Sequence, residues 1–270
     1  MNIVKEYLIL AIGDLKAAEI LQKNKLYPYA IYFTIQALEK VTKAQLILNN
    51  TIPPEQLKKK IGHNLFLGFA RYWRQNKTMW DAHKIMMSNP KFKIMFNDSE
   101  SHIKNEKEIA ANIKAIESHI KKLEITALDK NRKQEEAEKT IERLDKYYSK
   151  TGEEYEKQRK QVENICSELN EKIMTTENEE QRKKLEENIR IIKNAKGYLT
   201  GIISSDYILK VIQELAEIMP NQDELRYPES NPLDKFNENH PLVKNLEGVN
   251  RHLKNSIEFT LRLDLSSWDN

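Results

Sequence analysis

Between Asp98 and Gly197 the apolar residues thin to a narrow seam in a strongly charged stretch. Ile109, Ile113, Ile116, Ile120, Leu123 and Ala127 recur in steps of three and four, the spacing that keeps one stripe of an α-helix against a partner helix. The seam resumes at Ala137, Ile141, Leu144 and Tyr148, then at Tyr155, Val162, Ile165, Leu169, Ile173, Leu185, Ile189 and Ile192. Lys150-Thr151-Gly152 reads as a reversal. Folding the chain there sets Ile141 against Val162, Ala137 against Ile165 and Ile113 against Ile189. Residues 98–197 are therefore expected to form a long antiparallel coiled-coil hairpin. Its register fails where Ile120 would meet Arg182, so a break is expected at Thr175-Thr176, with Thr176 capping the restart and Glu179 three residues on. A hairpin returns the chain near its start, so it can be inserted into another unit without disturbing it.

The flanks are helical too. With 7 glycines and 8 prolines in 270 residues, the chain has too few turn formers for a sheet protein. Val4, Tyr7, Ala11, Leu15, Ala18 and Leu21 line one face of a first helix over Ile3 to Lys23. Pro28 then opens a second with a stripe of Ala30, Phe33, Ala37, Val41, Ala44 and Leu48. An aromatic-rich helix follows Gly62-His63-Asn64-Leu65. After Gly197 the apolar face broadens through Leu199, Ile203, Ile208, Val211, Leu215 and Ile218. A last helix starts at Pro241. The expected fold is all-α: residues 1–97 and 198–270 close into one discontinuous helical bundle, split by the hairpin.

Charge is unevenly spread. Residues 1–97 carry 15 Lys/Arg against 6 Asp/Glu, and residues 198–270 carry 7 against 12. The first segment suits a polyanionic partner, or the acidic segment across the bundle. Cys166 is the sole cysteine, so no internal disulfide forms, which fits a cytoplasmic protein. The apolar run Tyr7–Ile12 is too short to span a bilayer, and no membrane association is expected.

Few residues offer chemistry. Tyr32, Gln36, Glu39 and Lys43, with Lys40 beside them, share a second face of the second helix, where tyrosines and a glutamine suit a polar groove. A plain solvated face with a Glu39–Lys43 pair is the alternative. His63 stands between a glycine and a helix-capping asparagine. Arg226, followed by Tyr227 and Pro228, lies in a loop where a guanidinium fork would hold a phosphate or carboxylate. Phe69-Ala70-Arg71-Tyr72-Trp73-Arg74 mixes bases with aromatics, as either a nucleic-acid platform or a core stripe. No phosphate-binding glycine loop, paired-cysteine zinc spacing or His-Glu-x-x-His helix occurs, so no metal or cofactor is expected.

The stretch Asp14-Leu15-Lys16-Ala17-Ala18, the run Tyr29 to Phe33, Gln36-Ala37-Leu38-Glu39-Lys40-Val41-Thr42-Lys43-Ala44 and Gly62-His63-Asn64-Leu65 together resemble the HEPN domain of prokaryotes. Arg226-Tyr227-Pro228 resembles the segment before that domain's last helix. The likeness covers roughly residues 1–75 and 205–262 and none of the hairpin. It implies a small bundle that commonly dimerises, in toxin–antitoxin and antiviral defence modules, often as a ribonuclease and sometimes beside a minimal nucleotidyltransferase. Ribonuclease members share an arginine followed, after four to six intervening residues, by a histidine. Here Arg74 is too far from His83, and Arg251 adjoins His252.

Three functions are carried forward as expectations. The first is a HEPN-like, homodimeric binder of RNA, a nucleotide, a nucleotidyltransferase or another defence-system protein, using Tyr32, Gln36, Glu39, Lys40, Lys43 and Tyr227 with His63 and Arg226. The second is a metal-independent endoribonuclease with His63 and Arg226 as a non-standard catalytic pair. The third is a structural adaptor that works through the coiled coil.

Overall fold

A computed structural model of the chain describes residues 3–88, 99–128, 133–220, 223–226 and 231–262. Every regular element among them is a helix, as low glycine and proline content requires. Helices α1 (Ile3–Lys23) and α2 (Tyr27–Leu48) form a tight antiparallel pair. Val4, Leu8, Ala11, Leu15 and Ala18 of α1 are buried, and Ala30, Ala37 and Ala44 of α2 let the backbones approach. The turn between them uses Lys25 in the left-handed region, at φ 60°, and Pro28 fills a first-turn position whose N–H has no helical acceptor anyway.

The short α3 (Leu57–Lys60) ends at Gly62, whose φ of 57° favours glycine. Helix α4 (Leu65–Ser88) then lies along α5 (Ser99–Leu128). Helix α6 (Ala137–Thr175) runs against α7 (Glu179–Ile218). Three short helices follow: α8 (Asp223–Arg226), α9 (Pro232–Lys235) and α10 (Pro241–Lys244). The last helix, α11 (Leu246–Arg262), packs on α7, α1 and α2.

The expected reversal at Lys150-Thr151-Gly152 does not occur. Helix α6 runs straight through it, and Ile141 and Val162 lie on one helix instead of facing each other. Thr151 is only 6% exposed and returns its hydroxyl to the Tyr147 carbonyl at 2.8 Å, which suits a helix interior. Gly152 costs that helix up to about 1 kcal/mol but does not break it. The chain turns instead at Thr176-Glu177-Asn178, where the break was expected. Thr176 ends α6 with an extended backbone, and Asn178, not Thr176, caps α7 by accepting from the Gln181 N–H at 3.1 Å.

The first arm also has a different partner. Ile116, Ile120 and Leu123 of α5 join the core that holds Phe66, Phe69 and Ala70 of α4. A three-four seam says that a helix packs, not on what.

One apolar interior joins both ends of the chain: Leu8, Leu38, Phe69, Leu123, Leu144, Tyr207, Leu215, Phe236, Leu246 and Leu253 belong to a single cluster. Helix α11 reaches α6 because Gly248 has no side chain there. A Cβ at that position would sit 2.8 Å from Cγ2 of Ile141. No helix among the described residues is long and apolar enough to cross a membrane.

Candidate functional site

Helix α2 turns Glu39 inward, leaving it 5% exposed. A carboxylate so buried needs partners, and Lys43 and His63 are among them. Lys43, one turn on, donates to Oε1 at 2.5 Å, and Nδ1 of His63 lies 2.8 Å from Oε2. Burial pushes the Glu39 carboxyl up, but the hydrogen bonds from His63 and Lys43 and their charges prevail, so it titrates below the ordinary carboxylate range. Glu39 is thus an anion at neutral pH.

An anionic acceptor at Nδ1 selects the imidazole tautomer with its proton there. The other nitrogen, Nε2, is left with a lone pair. The His63 side chain is 66% exposed, so this dyad presents a solvent-facing base held by a buried acid. Backbone geometry fixes it further. Gly62 precedes it in the left-handed region, and Asn64 follows, accepting from the Leu67 N–H and donating to the Ala127 carbonyl at 3.1 Å.

Beside this dyad Lys40 donates to Asp14 of α1 at 2.5 Å. Asp14 was not singled out from the sequence, because nothing local links it to a lysine 26 positions on. Gln36, half-buried one turn before Lys40, has an Nε2 group without a hydrogen-bond partner. Tyr32 is half-buried and packs edge-on to Phe33. Lys58, Lys59 and Lys60, immediately before Gly62-His63, form no ion pair among the described residues.

The structure therefore gathers Glu39, Lys43 and His63 into one set of touching side chains and places Lys40 in a neighbouring set on the same helix. Tyr227 and the side chain of Arg226 lie outside the described residues. The short helix that ends at Arg226 packs on α2, with Leu225 in the core. In the aromatic run of α4 only Phe69 and Ala70 are buried; Tyr72 and Trp73 are half-buried, with Trp73 meeting the His119 ring edge-on at 5.1 Å, and the exposed Arg74 pairs with Glu124.

A second polar cluster was not read from the sequence at all. The Tyr207 hydroxyl lies 3.0 Å from Nδ1 of the fully buried His252. Asp145 stands 3.0 Å from His252 Nε2, without hydrogen-bond alignment, and 2.6 Å from the Arg251 guanidinium. Burial pushes the Tyr207 hydroxyl well up and the His252 imidazole down, so both are neutral. Enclosed by Tyr147, Tyr148 and Phe259, this cluster ties α6, α7 and α11 together. Its members come from three distant segments, so no spacing announces it.

No group of three or more His, Cys, Asp or Glu suited to a metal ion occurs among the described residues. Comparison with family models, with curated proteins and with solved structures returns no match for this chain, so the reading of the site rests on its own chemistry.

Proposed function

We propose that the protein is a HEPN-like binder of RNA or a nucleotide, acting in a prokaryotic defence or toxin–antitoxin module, with the Glu39–His63 corner as its binding surface. One observation carries this reading: an exposed imidazole is oriented by a buried carboxylate, next to three lysines that have no acid of their own among the described residues. Lysines at an exposed helix end attract phosphates without regard to sequence. His63 Nε2 accepts from a donor on the ligand, or when protonated donates to a phosphate oxygen. Lys40 and Lys43 are neutralised by Asp14 and Glu39, so they shape the corner more than they charge it.

The test is binding of labelled single-stranded RNA and of free nucleotides, followed by anisotropy across a salt series. Replacing Lys58, Lys59 and Lys60 with glutamine is expected to weaken binding and to lower the salt slope by about one for each of these lysines that meets a phosphate. His63→Gln is expected to weaken binding with little change in slope. Absence of binding at low salt, or binding indifferent to all four changes, rejects the reading.

The metal-independent endoribonuclease reading, with Arg226 as partner, is favoured by the same dyad, since a carboxylate on Nδ1 leaves Nε2 ready to take a proton. Cleavage of labelled RNA in a chelator, lost in His63→Gln and in Arg226→Gln, is its signature. Binding without cleavage leaves the binder.

A further inference from the structure

Among the described histidine side chains, His63 alone is both exposed and anchored through Nδ1 on a buried acid. His252 is 1% exposed, with the Tyr207 hydroxyl on its Nδ1. His119 directs Nε2 to the Gln213 amide oxygen at 3.1 Å, and its ring lies against Trp73. His240 accepts from the Leu242 N–H at Nδ1, so its neutral-state proton sits on Nε2. In each of these the Nε2 lone pair is buried, engaged or absent. His63, with Nδ1 turned to Glu39, presents its Nε2 lone pair to solvent.

An imidazole with a carboxylate on one nitrogen and an open lone pair on the other is an oriented nucleophile as well as a base. When Nε2 forms a bond the ring becomes cationic, and Glu39 already stands where that charge needs an anion. The surroundings select the electrophile. Lys58, Lys59 and Lys60 precede His63 by three to five positions and form no ion pair among the described residues. They draw in an anionic reactant and offset its charge as the lone pair approaches, which suits a phosphoryl group. The dyad gives no proton to a departing group, because Glu39 is ionised at neutral pH. A donor that fits therefore carries a leaving group that departs unaided: the carboxylate of an acyl phosphate, or the already protonated amine of a phosphoramidate.

We infer that His63 is a phosphoryl acceptor, taking the group onto Nε2 from a small acyl phosphate or phosphoramidate. The Nε2 lone pair forms the new N–P bond. The P–O bond of the acyl phosphate, or the P–N bond of the phosphoramidate, breaks, and its electron pair leaves with the carboxylate or the amine. Nδ1 keeps its proton, hydrogen-bonded to Glu39, so the ring's positive charge lies between the Glu39 carboxylate and the phosphoryl dianion. Glu39 is a positioning residue in this step, since it touches the ring and not the reacting phosphorus. The inference uses the dyad of the proposed binding corner but not RNA binding itself, and the two fail separately.

The full chain is incubated with phosphoramidate and, separately, with acetyl phosphate. Mass spectrometry of peptides prepared without acid locates the group, and phosphorus NMR separates Nε2 from Nδ1 phosphohistidine. Transfer from either donor to Nε2 of His63 is expected, and His63→Gln is expected to remove it. The same donors are then applied to the wild-type chain unfolded in urea, where the dyad is gone. His63 is expected to react there at least about tenfold more slowly than in the folded chain, and equally slowly in Glu39→Gln with native circular dichroism. Replacing Lys58, Lys59 and Lys60 with glutamine is expected to slow the folded reaction. No transfer from either donor, a folded rate no faster than the unfolded one, or a group on Nδ1 overturns the inference. The unfolded comparison uses the wild-type sequence, so it decides the matter even if Glu39→Gln does not fold. Transfer in a chain that binds no RNA sinks the binder and leaves the acceptor, and RNA binding without transfer does the reverse.

Discussion

The side-chain amide of Gln45, in α2, donates from Nε2 to the hydroxyl of Thr260, in α11, across 2.8 Å and 215 positions of sequence. Gln45 is 1% exposed and Thr260 fully buried, and the hydroxyl passes its own proton to the Ser256 carbonyl at 2.8 Å. Apolar packing tells α11 which face to bury. A directed pair of this kind sets where along α2 it settles, because sliding by a turn leaves the Gln45 amide unpaired in the core.

Removing one partner is therefore expected to cost more than removing both. Thr260→Val strands the Gln45 amide, whose Oε1 already lacks a partner, and is expected to lower stability by about 1–3 kcal/mol. Gln45→Met with Thr260→Val is expected to recover part of that loss, since no buried polar group is then left open. Urea unfolding of the two single variants and the double variant measures the coupling. Strict additivity speaks against a directed hydrogen bond.

Much of the fold is legible in the sequence because it is local. The stripe of α1 and the proline at the start of α2 follow from side-chain spacing and from one missing N–H, and both hold in the structure. What misleads is local likeness without tertiary knowledge. Lys150-Thr151-Gly152 has the composition of a turn, yet Thr151 bonds back to Tyr147 and the helix goes on. The seam of Ile116, Ile120 and Leu123 fits a coiled-coil return arm as well as it fits α4, since both offer a face of similar period. At the site the Glu39–Lys43 pair is one turn of helix and readable. Asp14 on Lys40 depends on how α1 and α2 align, and the His252 cluster on three separate segments.

Gly248 is expected to resist even the smallest substitution. An added methyl meets Cγ2 of Ile141 at 2.8 Å, a group held on another helix by the same core. Gly248→Ala should destabilise by about 1–3 kcal/mol despite its gain in helix propensity. Ile141→Ala alone should also destabilise, and the pair together by less than their sum, since each relieves what the other causes. Thermal unfolding of the four proteins decides it.

Acid should loosen the fold well before the carboxylates titrate. Burial holds His252 below the ordinary value of 6.5, with the Asp145 charge opposing, and burial holds His119 and His240 down too. A histidine whose folded pKa is depressed takes up its proton more readily in the unfolded chain. Its contribution is whole above about 6.5 and is lost as pH falls from there through the folded value, by up to about 1.4 kcal/mol per pH unit for each histidine. Glu39, also depressed, adds stability above the ordinary carboxylate range that is lost at lower pH still. The thermal midpoint is expected to fall between pH 7 and 5, and His252→Gln to flatten that fall. A midpoint constant over this range refutes the assignment.

The dyad at the site can be observed without any ligand. With Glu39 ionised, His63 carries its neutral-state proton on Nδ1, the tautomer that free imidazole side chains populate less. Nitrogen NMR of the neutral imidazole is expected to show that form dominant in the wild type and to shift towards the Nε2-protonated form in Glu39→Gln. The same change leaves Lys43, only 14% exposed, without its counter-charge and is expected to lower stability by about 1–3 kcal/mol.

The continuity of α6 gives the sharpest check on the architecture. If the chain turned at Gly152, that glycine would occupy a backbone conformation alanine resists, and Gly152→Ala would destabilise. In a continuous helix with nothing within 4 Å of the added methyl, the same change removes the conformational freedom that only glycine has in the unfolded chain. It is then expected to stabilise by about 0.5–1 kcal/mol. Because the two topologies give opposite signs, a single pair of unfolding curves separates them.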